Sequence, residues 1–187
     1  MIKIYIDQGH NPQNPNAGAE ANGVREQDVT YEVGVRLAAL LRANGNFEVR
    51  LSRNTPTEQV GNSYTSSLAT RVNQANSWPA DYFISLHCNS SPITTASGSE
   101  VYIYRLGTPA EALARQILTG LANATGLPNR GVMVNPNLYV LRRTAMPAVL
   151  VEMGYLTNPV DARLLSQDPQ SFARGIYNGI LAYFGLA

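Results

Sequence analysis

The sequence predicts a single-domain α/β fold, one sheet covered by helices on both faces. Two observations point there. Short apolar runs alternate along the chain with longer stretches whose apolar residues recur every three or four positions. The 187 residues are 44% hydrophobic and only 14% charged, so the chain can bury a substantial core and is too apolar to stay disordered. No internal repeat, linker or low-complexity tract divides it, so residues 1–187 are expected to form one domain.

The elements follow in order. Residues 2–7 read as a strand buried on both faces. Residues 8–24, rich in Asn, Pro, Gly and Ala, read as a long loop with turn signals at Asn14-Pro15 and Asn22-Gly23. A loop of this length in a compact domain is commonly functional. From Arg25 onward, Val29, Val33, Leu37, Leu40 and Leu41 recur at helical spacing, with Asn44-Gly45 as the stop. Phe47–Leu51 alternates as a strand, and residues 52–62 form a polar loop. Leu68, Val72 and Ala75 predict a second helix, closed by Trp78-Pro79. Residues 81–88 are the next strand, 89–97 a loop, and 98–104 an alternating strand. Residues 109–125 predict a helix whose apolar stripe is Ala112, Leu113, Ile117 and Leu121. Residues 138–141 and 148–151 read as short strands and 159–166 as a short helix. Phe172, Ile176, Ile180, Leu181 and Phe184 mark a final amphipathic helix.

The bulk properties exclude several function classes. A net charge of +1 argues against a nucleic-acid partner. No stretch approaches the roughly 20 apolar residues of a membrane span. The N-terminus lacks the basic region, apolar region and cleavage site of a signal peptide. The expectation is that the protein is not exported by that route, or that this is a trimmed catalytic domain. A single cysteine, Cys88, leaves no internal disulfide and no multi-cysteine zinc site.

The chemistry concentrates at strand ends. The only two histidines, His10 and His87, each follow an apolar run at the point where a strand should emerge. Ligands of open α/β sheets bind outside the carboxyl ends of the strands. A catalytic zinc site takes three protein ligands and an open fourth position. Two imidazoles and one carboxylate meet that need. Glu20, Glu26, Asp28 and Glu32 are the candidate acids, with Glu26 favoured by its place in the first helical turn, where charge complementarity with the helix is the competing reading. Glu152 closes the apolar run at 148–151. It reads either as an ion-pair partner of Arg142 or Arg143, or as a general base beside a metal. Cys88 should face away from His87 along an extended strand, which makes it a buried thiol rather than a nucleophile. Asp7 either orients a ligand from behind or caps the turn. Phosphate-loop, dinucleotide-binding and serine-elbow motifs are absent.

At this point the residues resemble a known family. Asp7-Gln-Gly-His10, Glu26-Gln-Asp-Val29, Ser85-Leu-His-Cys-Asn89, Ser97-Gly-Ser-Glu-Val101 and the block from Leu141 through Asn158 occur in the order found in zinc-dependent N-acetylmuramoyl-L-alanine amidases of the type-3 family. The resemblance runs from Ile2 to Phe184. It implies a three-layer α/β/α fold with a mixed, mostly parallel twisted sheet and one zinc ion. It further implies His10, Glu26 and His87 as metal ligands, Glu152 as the catalytic acid, and bacterial peptidoglycan as substrate at the cell wall. Asn89, Arg142 and Arg143 are candidate substrate-binding residues, arginine being suited to a stem-peptide carboxylate. The chain has Gln8 and Asn11 where the family commonly has proline and glycine. It has only a short connection after His87, where some members insert a long blocking helix. The competing readings are another zinc peptidase or deacetylase, and a non-catalytic cell-wall-binding module.

Overall fold

The computed structural model describes residues 1–187. In chain order the elements are β1 (Ile2–Gln8), β2 (Glu20–Ala21), β3 (Val24–Arg25), α1 (Glu26–Asn44), β4 (Phe47–Leu51), α2 (Tyr64–Ser77) and β5 (Tyr82–Asn89). There follow β6 (Ser99–Ile103), α3 (Pro109–Thr125), β7 (Asn129–Val134), α4 (Tyr139–Arg143), β8 (Ala148–Tyr155), α5 (Pro159–Gln167) and α6 (Pro169–Phe184). Six strands form one mixed sheet in the order β4-β1-β5-β8-β6-β7. Strands β4, β1, β5 and β8 run parallel. β6 is antiparallel to β8, and β7 runs parallel to β6.

The alternation of side chains along these strands builds two unequal cores. On one face Ile4, Ile6, Ile84, Leu86, Val101, Val149 and Val151 pack beneath α1, α3 and α6. On the other, Tyr5, Phe83 and Leu150 meet Val72 and Ala75 of α2 and Val140 and Leu141 of α4. The first core holds 30 buried residues and the second 10, so helices cover the second face over its centre only. The face is left open toward β6 and β7, and the consequences of that opening are chemical. Helices α3 and α6 approach closely because they cross at glycines: a Cβ on Gly179 would lie 2.6 Å from the Gln116 carbonyl oxygen.

Four parts of the chain differ from the sequence reading. The long loop at 8–24 contains a small antiparallel hairpin, β2–β3, turned at Asn22-Gly23, both with positive φ. The turn signal was present, but two-residue strands carry no periodicity. Strand β7 was not expected, because Gly131 interrupts its apolar pattern. Residues 138–141, read as a strand, form the start of the single-turn helix α4. Packing of Val140 and Leu141 against α2 and the sheet overrides their β preference. Strand β8 also continues past residue 151 to Tyr155, so Glu152 lies inside a strand rather than beyond its end. The connection at 90–98 contains no helix.

Candidate metal centre

The site is assembled at the carboxyl ends of β1 and β5. Gly9 continues alongside β5, its N–H donating to the Leu86 carbonyl at 3.0 Å. A side chain there would meet the His87 ring, with a Cβ falling 2.6 Å from Nε2. Glycine therefore lets the two histidine-bearing segments approach. His10 follows with φ of 67°, in the left-handed region that a β-carbon disfavours by about 1–3 kcal/mol. That backbone turn brings its ring edge-on to His87, centroids 4.9 Å apart and planes at 78°.

Glu26, the first residue of α1, completes the cluster. Its Oε1 lies 3.2 Å from His10 Nε2 and 3.0 Å from His87 Nδ1. The carboxylate is held by two backbone donors, the Cys88 N–H on Oε1 and the Ala19 N–H on Oε2, each at 3.0 Å. One ligand atom from each of the three residues lies within 4.8 Å of the others. Zinc–ligand bonds of about 2.0–2.2 Å in a tetrahedral arrangement space ligand atoms ~3.3 Å apart; this donor set fits zinc in type, and the two Glu26–imidazole distances, 3.2 and 3.0 Å, match that spacing. Burial disfavours charge on Glu26, but the two histidines hold its carboxyl far below the usual range. Burial likewise opposes charge on His10, and the Glu26 carboxylate outweighs it, raising the imidazole above its ordinary value. The other candidate acids lie elsewhere. Glu20 is exposed, Asp28 pairs with Arg25 at 3.3 Å and Glu32 with Arg36 at 3.1 Å.

Glu152 stands beside His87 in the β5–β8 register and beside Glu100 in the β8–β6 register. It makes no ion pair with Arg142 or Arg143, and its Oε2 is buried without a hydrogen-bond partner. Burial, with the like charges of Glu26 and Glu100, pushes its carboxyl well above the usual range. A carboxyl beside a candidate metal cluster and primed to hold a proton suits general acid–base work.

Comparison with known proteins identifies the family. The profile of the N-acetylmuramoyl-L-alanine amidase family matches residues 4–182. The chain belongs to this family. It is 38% identical to the N-acetylmuramoyl-L-alanine amidase CwlM of Bacillus licheniformis over 191 aligned positions, covering all of this chain and 70% of that protein. It is 36% identical to the sporulation-specific N-acetylmuramoyl-L-alanine amidase of Bacillus subtilis strain 168, covering all of this chain and 69% of that protein. The catalytic domain of CwlV, an N-acetylmuramoyl-L-alanine amidase from Bacillus (Paenibacillus) polymyxa var. colistinus, superposes with a TM-score of 0.86 at 31% identity, both chains covered in full.

Within this amidase the histidine turn is organised by a residue that sequence reasoning missed. Arg71, buried on α2, donates from Nη1 to Asp7 Oδ1 and to the Gln8 carbonyl, each at 2.6 Å. From Nη2 it donates to the His10 carbonyl at 2.7 Å and to Asn11 Oδ1 at 3.1 Å. Its signal lay in helical spacing: Arg71 falls on the buried face of α2 with Ser67, Val72 and Ala75. Asp7 thus acts behind His10, through Arg71, and also accepts from the Ser85 hydroxyl at 2.8 Å. Burial opposes its charge, but Arg71 holds its carboxyl below the ordinary range of about 3.8. A depressed folded-state value makes this contribution fully present above the unfolded value and lost as pH falls through the folded one. Asp7→Asn is expected to destabilise the fold by about 3–5 kcal/mol at neutral pH, because it leaves a buried guanidinium without its counter-charge. The loss should shrink below pH ~4. Urea unfolding at both pH values checks it.

The two departures from the family pattern join the same network. Gln8 donates its backbone N–H to Ser52 Oγ at 2.9 Å, a bond proline cannot make, and accepts the Arg53 N–H at 2.9 Å. The Asn11 side chain accepts the Val60 N–H and donates to the Pro15 and Val60 carbonyls. The 11–16 loop is thereby tied to the 52–60 segment. Of the candidate substrate-binding residues, Asn89 donates to Glu100 Oε1 at 2.8 Å, close to Glu152. Arg142 and Arg143 are exposed at the end of α4. The start of that helix, Leu138 and Tyr139, lines a pocket of about 110 Å³ reaching His10 and His87. Arg142 lines a separate pocket with Tyr104 and Pro147, near the start of β8.

Proposed function

We propose that residues 1–187 form the catalytic domain of a zinc-dependent peptidoglycan hydrolase. It cleaves the amide bond between the lactyl group of N-acetylmuramic acid and L-alanine of the stem peptide, at the bacterial cell wall. The observation that carries this reading is the meeting of His10, Glu26 and His87 within 4.8 Å, with Glu152 in register beside His87. His10, Glu26 and His87 would hold the ion. Bound zinc supplies Lewis-acid chemistry, lowering the pKa of water to about 7 and polarising a carbonyl.

The chain's own groups do the rest. Glu152 takes a proton from the attacking water, a transfer its raised proton affinity favours, and then passes it to the leaving nitrogen. The Ala19 and Cys88 N–H groups fix the orientation of Glu26, and Arg71 fixes the backbone of His10. The pocket between α2 and α4 gives the acyl side an apolar wall in Leu68, Leu138 and Tyr139.

Product analysis tests the bond assignment. Purified peptidoglycan digested by the chain should gain free L-alanine amino termini with no new reducing sugar ends. Amino termini of other residues would identify a peptidase, and acetate release a deacetylase. Wall binding with no solubilisation would identify a non-catalytic module.

A further inference from the structure

Glu100, the cross-strand neighbour of Glu152, is buried, and both its carboxylate oxygens are engaged. Oε1 accepts from Asn89 Nδ2 at 2.8 Å and from the Tyr102 hydroxyl at 3.0 Å, and Oε2 accepts from Arg130 Nε at 3.1 Å. Arg130 lies on the edge strand β7 with its guanidinium over the Tyr155 ring, 5.2 Å from the centroid. Its side chain is 38% exposed. Glu100 occupies only Nε, and the Nη1–Nη2 edge keeps one long bond, 3.4 Å to the Ser97 carbonyl. A guanidinium clamped at one edge and open at the other is arranged for bidentate capture of a carboxylate.

We propose that Arg130 recognises a carboxylate on the leaving peptide and so makes the enzyme prefer acidic over amidated stems. The inference rests on the amidase reading above. Its direction follows from the order of strands. Across the sheet, β1, β5, β8, β6 and β7 precede or carry His10, His87, Glu152, Glu100 and Arg130 in turn. The group that protonates the leaving nitrogen must lie on the leaving-group side of the reacting carbon. Glu152 stands on the β6–β7 side of the two histidines, so the peptide leaves across β6 and β7. The acyl half then lies toward His10, where α2 and α4 enclose the pocket lined by Tyr64, Leu68, Leu138 and Tyr139. Two strand spacings, about 10 Å, separate β8 from β7. Extended peptide spans about 3.3 Å per residue, which puts Arg130 within reach of the first three residues of the leaving peptide. The second helical layer leaves this part of the sheet open.

Two synthetic muramoyl tripeptides that differ only in a free or amidated carboxylate at the second residue test the proposal. With both, kcat and KM are measured for the zinc-loaded wild type and for Arg130→Gln. The wild type should favour the acid by ~10-fold or more, the scale of one charge-assisted hydrogen bond. Arg130→Gln should lose that preference, its acid-to-amide ratio of kcat/KM falling toward one through a raised KM on the acid. The ratio is internal to each variant, so it does not depend on the folded fraction. Arg130→Lys, which keeps a cation beside Glu100, should reduce the preference without erasing it, and gives the same test should Arg130→Gln not fold. A wild type that cleaves both substrates equally, or variants that lose both alike or keep the full preference, overturn the inference while the amidase reading stands. A wild type that releases L-alanine termini from neither substrate removes both.

Discussion

Glu152→Gln is expected to lower turnover on peptidoglycan by roughly 10²–10⁴-fold, the range of a positioned general acid–base group. Bound zinc should stay unchanged. The substitution keeps the shape of the side chain and removes only its capacity to take and give a proton. Glu152 is not among the three residues whose ligand atoms converge. Its carboxyl is also the one whose burial and acidic neighbours, Glu26 and Glu100, raise its proton affinity. The amide should relieve that like-charge crowding, so the variant is expected to be no less stable than the wild type even as it loses activity. Zinc content, urea midpoint and turnover measured on the same preparation separate these effects. Near-normal turnover would remove Glu152 from its role.

His87→Ala should lose both metal and activity. Changes behind a zinc ligand typically weaken binding 10–100-fold, so removal of a ligand should exceed about 100-fold. Two donors would remain, short of the three protein ligands of a catalytic zinc site. Glu26 would also lose the imidazole 3.0 Å from its Oε1 while still buried, which adds a destabilisation that zinc cannot offset. Atomic emission after dialysis reads zinc per chain. An unchanged ratio would take His87 off the ligand set.

The candidate centre was largely legible because it is local. An apolar run followed by histidine, twice in a chain with only two histidines, marks two strand ends that a parallel sheet brings together. The choice of Glu26 over Glu20 and Asp28 was not legible from spacing. It depends on the β2–β3 hairpin, which folds back so that the Ala19 N–H meets the Glu26 carboxylate, and such short strands leave no periodic trace. Arg71 and Arg130 were missed for a different reason. Each acts through a partner far away in sequence, Asp7 for one and Glu100 for the other, and only the fold makes them neighbours. Arg71 left a faint mark as a charge on a buried helical stripe, whereas Arg130 sits in an edge strand that the sequence pattern hid. Residues 138–141 failed because β-prone side chains can serve one helical turn equally well when tertiary packing demands it.

The central claim joins metal, site and bond, and one experiment reads all three. The purified chain is stripped with a chelator, incubated with peptidoglycan, and then given zinc back in equimolar amount while newly freed amino termini are identified. The expected result is no release before zinc, and afterwards release of L-alanine termini alone with the glycan strands intact. Release that ignores zinc, or termini other than L-alanine, would contradict the account.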